Sequence, residues 1–300
     1  MNPNDLISVV IPTCRRDARI LKRAVQSALN QTHTAIELIV VDDSPEDFAG
    51  RDEVRRMLEG LGDNRVQYIR HETNQGACAA RNTGIARARA GFLAFLDDDD
   101  EWLPDKLEKQ LRLMNERGAD YALIGCGSWT VDDATGLRRP RKPWPARGRV
   151  FDRLILENFI GSTSFPLMRK SCLTDVGPFD PLMKSAQDYE LWLRIARNYP
   201  MDFVEEPLAL YHVDGGARIS TNVQSRIEGL ERLNELHRDY LRAHPRALSA
   251  RLDKLVPHYV RAGQREKARR AFFQALRLSP LAAQEHLSAL RCLLGKPSVP

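Results

Sequence analysis

No apolar run in these 300 residues approaches the ~20 that a bilayer-crossing helix needs, so no transmembrane span is expected. Met1 to Asp5 carry no basic segment, and Ile7 to Ile11 is too short for the apolar core of a secretory signal. Cysteine is scarce: Cys14, Cys78, Cys126, Cys172 and Cys292 are odd in number, scattered and never spaced CxxC. Such a set argues against a disulfide framework and a structural zinc site, and suits a reducing cytoplasm. Two phosphate-binding signatures are missing as well. No GxGxxG follows the first predicted strand, which weakens a dinucleotide-cofactor reading, and no GxxxxGK(S/T) occurs, which excludes a Walker-type loop.

What is present is an ordinary apolar content of 43% and an uneven spread of charge. The chain totals +5, yet residues 217–300 hold sixteen Lys/Arg against seven Asp/Glu, a net of +9. An acidic body with a basic tail suggests an anionic surface or partner near the tail. Apolar runs at 6–12, 36–41, 66–69 and 92–96 predict buried strands. Helical patterns at 19–30, 51–61, 77–89 and 104–117 alternate with them. That alternation predicts a mostly parallel, Rossmann-like α/β sheet flanked by helices. Beyond residue 120, strands are expected at 121–129 and 164–168, with short closing strands at Val204 and at 208–211. Helices are expected at 151–158 and from Gln187, and His212 to Gly216 should form a flexible loop. The stretch 136–149, rich in Arg and Pro, reads as a solvated excursion or an anion site. From Thr221 only helices are expected: one over 222–243, then three more punctuated by Pro245, Gly263 and Pro280. The domains are therefore a body over 1–216 and a helical appendage over 217–300.

The centre of the pattern is Phe92-Leu93-Ala94-Phe95-Leu96 running into Asp97-Asp98-Asp99-Asp100. Open α/β sheets bind ligands at the carboxyl ends of their strands, which is where these acids fall. Four adjacent carboxylates need a counter-charge, and Mg²⁺ or Mn²⁺ with a phosphate supplies one. The alternative is an acidic turn capping the next helix, for which one Asp suffices.

The motifs Ser8-Val9-Val10-Ile11-Pro12-Thr13, Gln31-Thr32, Glu37-Leu38-Ile39-Val40-Val41-Asp42-Asp43-Ser44 and Asn74-Gln75-Gly76 come in a recognisable order. Ala80-Arg81-Asn82-Thr83-Gly84, the aspartate run, Gly177-Pro178-Phe179-Asp180 and Asp188-Tyr189-Glu190-Leu191-Trp192-Leu193-Arg194 continue it. Over roughly residues 5–216 the chain resembles the family 2 inverting glycosyltransferases. The resemblance implies a GT-A fold, a nucleotide-diphosphate sugar donor (UDP- or dTDP-sugar) and Mn²⁺ or Mg²⁺. It implies that Pro12, Thr13 and Arg15 line the nucleotide pocket and that Asp42 or Asp43 accepts the base's imino hydrogen. It also implies that Asp99 ligates the metal, with Asp97 and Asp98 against the ribose and the metal's water shell, and Asp97 within the one-residue ambiguity of the ligand register. Arg81 and Asn82 would brace these loops. Asp188 matches the catalytic base, and its alternative is an N-cap of the helix it begins.

Two departures stand out. Gln187 replaces the acidic neighbour many members carry before the base, and Asp214 stands where the family's metal-shell histidine is common, with His212 displaced by two. Asp is a competent hard ligand, so Asp214 joins the expected metal set. The implied acceptor is a hydroxyl of a carbohydrate or lipid-linked surface-polysaccharide precursor, and no nucleic-acid partner is expected. A nucleotidyltransferase and a catalytically silent carbohydrate- or protein-binding module are the alternatives. For the tail three readings stand: contact with the anionic inner face of the cell membrane, a homodimer interface, or solvated arginines over packed leucines.

Overall fold

The computed structural model describes residues 5–141, 146–213 and 222–294, the side chains of 283–285 excepted. The chain falls into two compact units. The first holds the residues up to 154 with 158–181 and 188–215, and the second holds 216–300 with 155–157 and 182–187. Lys142 of the basic stretch and Asp214 of the expected metal set lie outside the described residues.

In the first unit, β1 (Ile7–Thr13), β2 (Ile36–Asp42), β3 (Val66–Arg70) and β4 (Phe92–Phe95) lie parallel in the order β3-β2-β1-β4. Their crossovers are α1 (Ala18–Leu29), α2 (Arg51–Glu59) and α3 (Ala77–Arg87). Every residue of β1 and β2 is buried, as expected of continuous β-branched runs covered on both faces. On one face Val9, Ile11, Leu38 and Val40 join Leu21, Ala24 and Ala28 of α1 and Val54 and Leu58 of α2. On the other, α3 lies so close to β1 that a Cβ at Gly84 would stand 2.2 Å from Val10.

The rest of this unit runs β5 (Glu101–Trp102), α4 (Lys106–Arg117), β6 (Leu123–Asp132), β7 (Arg138–Arg141), α5 (Phe151–Leu154), β8 (Leu167–Arg169), α6 (Cys172–Val176), α7 (Gln187–Asn198) and β9 (Met201–Val213). The complete order is β3-β2-β1-β4-β8-β6-β9-β5, with β7 on β6. β8 enters antiparallel between β4 and β6, and β5 and β7 are antiparallel too, so the sheet is mixed where the alternation predicted mostly parallel pairing. The two expected closing strands are one thirteen-residue strand, β9, parallel to β6. Its ladder shifts register opposite Cys126, Gly127 and Ser128, beside Pro207, which has no N–H to give. β8 begins at Leu167, later than expected, and α5 stops at Leu154, earlier than expected. The expected excursion after residue 136 is partly ordered as β7, whose four residues are all exposed.

The second unit is helical: α8 (Val223–Leu236), α9 (Arg238–Ala243), α10 (Pro245–Arg261), α11 (Arg265–Leu278) and α12 (Ala283–Leu293). The single helix expected over 222–243 breaks at His237. Its core gathers Ile227 and Leu230 of α8, Leu255, Val256 and Tyr259 of α10, Ala268, Ala271 and Phe272 of α11, and Ala289 of α12. Phe273, Leu281, Leu287, Leu290 and Leu294 are exposed. No helix among the described residues is long and apolar enough to cross a membrane.

Candidate active site at the carboxyl edge of the sheet

The ends of β1, β2 and β4 converge, as parallel pairing requires. Pro12 and Thr13 close β1 and are buried, and the Thr13 hydroxyl donates to Asp98 Oδ2 at 2.7 Å. Arg15 turns the chain at φ +51, its amide donating to Ser44 Oγ at 2.8 Å while its guanidinium stays exposed. Arg16 instead reaches the aspartates, 2.8 Å from Asp98 Oδ1 and 3.3 Å from Asp99 Oδ2. Arg15, rather than Arg16, was the arginine expected to line the pocket. Two adjacent arginines in a loop carry no signal of which one turns inward.

Asp42 and Asp43 are nearly fully buried and occupied by the fold. Asp42 accepts from the Ser44 amide at 2.9 Å and the Tyr68 hydroxyl at 2.6 Å, with Arg51 Nε 3.4 Å away. Asp43 accepts from the Gln75 and Gly76 amides at 2.8 and 2.7 Å and from Asn74 Nδ2 at 3.1 Å. His71 Nδ1 lies 2.8 Å from Asp43, and its Nε2 is 2.9 Å from Thr83 Oγ1. Asp43 therefore holds the Asn74-Gln75-Gly76 turn that launches α3, which explains why the two motifs occur together, while Asp42 ties the end of β2 to β3 and α2.

The four aspartates have different surroundings. Asp97 accepts from Arg81 Nη2 at 2.8 Å, Thr163 Oγ1 at 2.9 Å and Ser162 Oγ at 3.1 Å, and its amide donates to Ser164 Oγ at 3.1 Å. Burial works to raise its pKa, but Arg81 and the two hydroxyls outweigh it and hold the carboxyl below the usual range. For Asp98, burial outweighs Arg16 and Thr13 and pushes the carboxyl up. Asp100 is lifted well above the usual range, by burial first and then by the charges of Asp97 and Asp99. Its Oδ2 accepts from Ser164 Oγ at 2.6 Å and its Oδ1 from the His212 amide at 3.2 Å. The hydroxyl cradle Ser162-Thr163-Ser164, absent from the sequence analysis, thus grips both ends of the aspartate run. Its signal in the sequence was three successive hydroxyl residues after a glycine.

His212 corrects an expectation. Rather than a loop residue, it belongs to β9 and is buried, with Nδ1 2.5 Å from Asp133 Oδ1 and Nε2 2.8 Å from Glu101 Oε1. Burial opposes its charge, and these two hydrogen bonds prevail and raise its pKa. Both ring nitrogens are thereby engaged with neighbouring acids.

Arg81 also lies over the Phe179 ring, 5.4 Å from its centroid, and Asn82 exchanges two hydrogen bonds with the Phe179 backbone at 2.9 and 3.0 Å. Arg194 of α7 donates to the Val176, Gly177 and Pro178 carbonyls and pairs with Glu190. The Gly177-Pro178-Phe179-Asp180 turn is therefore held by α3 and α7 together. Asp188 is the second residue of α7, inside its first turn rather than at the N-cap. The Cys78 thiol of α3 is pushed up to about 11, by burial first, with Arg81 opposing and Asp180, Glu190 and Asp188 adding to the rise.

A divalent cation held by one or two carboxylates and by substrate phosphate oxygens suits this donor set. Asp97 and Asp99 are the partly exposed carboxylates of the run, at 29% and 23%, while Asp98 and Asp100 are buried. Among the described residues no three His, Cys, Asp or Glu side chains cluster to hold a metal by themselves.

Residues 8–177 match the sequence profile of Glycosyl transferase family 2. The chain belongs to this family. The glycosyltransferase is 29% identical over 243 residues to WcaA of Escherichia coli, assigned as a glycosyl transferase of colanic acid biosynthesis. That alignment covers 80% of this chain and 84% of WcaA. It is 32% identical over 198 residues to TuaG of Bacillus subtilis, assigned to teichuronic acid biosynthesis, covering 65% of this chain and 74% of TuaG. In fold it is similar to S. aureus TarS in complex with UDP-GlcNAc, with a TM-score of 0.68 at 17% identity over 97% of this chain and 92% of that one. The GT-A fold is thereby shown, and membership in the family sets aside the nucleotidyltransferase alternative.

Proposed function

We propose that this glycosyltransferase moves a sugar, with inversion, from a UDP- or dTDP-sugar to a hydroxyl of a surface-polysaccharide or lipid-linked acceptor. The observation that carries the reading is the convergence of Thr13, Arg16 and the aspartate run at the ends of β1 and β4, with Asp188 carried on a different element, the first turn of α7. Inverting transfer needs that separation, because the acceptor attacks the anomeric carbon from the side opposite the departing diphosphate. Asp188 takes the proton from the acceptor hydroxyl as it attacks. Asp42 and Asp43 shape the base pocket through the loops they hold, while Pro12, Thr13 and Arg15 line it. Asp99 holds Mn²⁺ or Mg²⁺, with Asp97 oriented by Arg81 and the hydroxyl cradle, and Asp214 at the expected further ligand position. The bound cation supplies positive charge to the leaving diphosphate. Relatives assigned to colanic and teichuronic acid biosynthesis support a polysaccharide acceptor, and the TarS complex with UDP-GlcNAc supports a UDP-sugar donor.

The helical unit contacts an anionic membrane at the cytoplasmic face. Support comes from its net charge of +9 and from exposed Phe273, three and four residues from Arg269, Arg270 and Arg277 on α11.

A panel of UDP- and dTDP-sugars, screened by thermal shift with Mn²⁺ and then by NMR of the product anomer, tests the transfer reading. A melting-temperature rise with one donor and an inverted product are expected. A retained anomer, or no donor binding and no turnover, overturns it.

A further inference from the structure

β7 carries Arg138, Arg139 and Arg141, all exposed, and the nearby acid is Asp132 of β6, whose carboxyl is held down mainly by Thr135 and in small part by Arg139. Alternation along a strand puts Arg139 and Arg141 on one face and Arg138 with Pro140 on the other. Register places Arg139 opposite Thr130 of β6, and Thr130 beside Tyr211 of β9. These side chains form a row across three strands, with Thr130 and Tyr211 partly exposed.

The row is anchored next to the catalytic edge. The Arg141 guanidinium donates to the Asn158 carbonyl at 3.4 Å and lies 6.0 Å from the centroid of the Phe165 ring. It is seated on Gly161, where an added Cβ would stand 2.2 Å from Nη1, and that glycine has φ +95. The next two residues, Ser162 and Thr163, are the ones that hold Asp97. Phe165 also meets the Tyr211 ring at 6.2 Å. An edge strand uses charge and proline to prevent pairing with other chains, and that accounts for arginines anywhere on β7. It does not account for a glycine seat that brings one of them to the hydroxyl cradle.

We propose that Arg139 and Arg141, with Thr130 and Tyr211 beside them, form an acceptor-side subsite for an oxyanion, so that the acceptor is an acidic glycan carrying carboxylate or phosphate groups. The proposal rests on the glycosyl-transfer reading and names the acceptor class of that site. Paired guanidinium groups suit either anion, since both present oxygens to the planar fork of N–H donors. A ring and a hydroxyl in the same row suit the sugar that bears the charge.

The test is calorimetric titration of the full chain with three probes: an oligomer of glucuronate, the same oligomer with its carboxyls reduced, and an oligomer of glycerol phosphate. At least one charged oligomer binds, the reduced one binds at least about tenfold more weakly, and added salt weakens the charged one. The tighter charged probe identifies carboxylate or phosphate as the group recognised. The Arg139→Gln/Arg141→Gln variant loses about tenfold or more in affinity for that probe, while Arg139→Lys/Arg141→Lys falls between. UDP affinity stays at the wild-type value in both variants, which also shows that they fold. Equal binding of the reduced oligomer, no binding of either charged oligomer, or wild-type affinity in the double Gln variant overturns the subsite. Wild-type protein that binds neither UDP nor any nucleotide sugar overturns the transfer reading instead, whatever the oligomers do.

Discussion

Asp188 stands in the first turn of α7, the end of a helix that favours negative charge. An anion poised to accept a proton and an anion that steadies a helix are compatible roles, and substitution separates them. Asp188→Asn keeps the shape and loses the basicity. Turnover should fall roughly 10²–10⁴-fold, the range for loss of a general base, with donor affinity near wild type. Lost donor binding together with early melting would show that Asp188 is structural only. At this scale the sequence was legible where chemistry is repeated side by side. Four consecutive aspartates after a buried run announce a site before any contact is known. Ser162, Thr163 and His212 were not legible, because each acquires its meaning from a partner 65 to 111 positions away. A histidine two residues from a motif position looks the same in sequence whether it faces solvent or sits between two acids.

The elements that place the site were legible for a physical reason. β1, β2 and β4 are buried on both faces, so they read as mainly apolar runs, broken only by the paired Ser8 and Glu37 and by the polar residues that end β1 and β2. β7 and β9 were harder to read: one is an exposed arginine strand and the other is interrupted by Glu205, Glu206 and Pro207. The parallel strands are stitched at the edge opposite the site by Glu37, which accepts from Ser8 Oγ at 2.6 Å, the Arg89 amide at 2.7 Å and Arg89 Nε at 2.8 Å. Burial would raise this carboxyl, but those bonds prevail and hold it below its ordinary 4.5. Because the folded pKa is depressed, the contribution is present above the unfolded value and is lost as pH falls through the folded one. Glu37→Gln should cost about 1–3 kcal/mol near neutrality, and the gap to wild type should close in acid. Urea unfolding from pH 7 down to pH 3 measures it, and a gap that stays constant would contradict the stitch.

On the scale of the whole molecule, a catalytic body of one charge sign and a helical unit of the other are joined in one chain. Anionic lipid attracts basic residues near its surface by ~1 kcal/mol per charge, and exposed apolar side chains add shallow burial. The full chain should therefore co-sediment with vesicles containing phosphatidylglycerol, and high salt or Arg269→Gln/Arg270→Gln/Arg277→Gln should release it. Binding that survives both would contradict an electrostatic attachment, and a dimer seen without any vesicle binding would favour a subunit interface. The aspartate run is where the proposed roles of donor and cation meet, at its third member, Asp99. That role of Asp99 is tested most directly by measuring UDP affinity with and without Mn²⁺ in wild type and in Asp99→Ala. Mn²⁺ should tighten UDP binding to wild type and have no effect on the Asp99→Ala variant, which remains folded but no longer transfers sugar. An Asp99→Ala protein that keeps both the Mn²⁺ effect and near-wild-type transfer would contradict it.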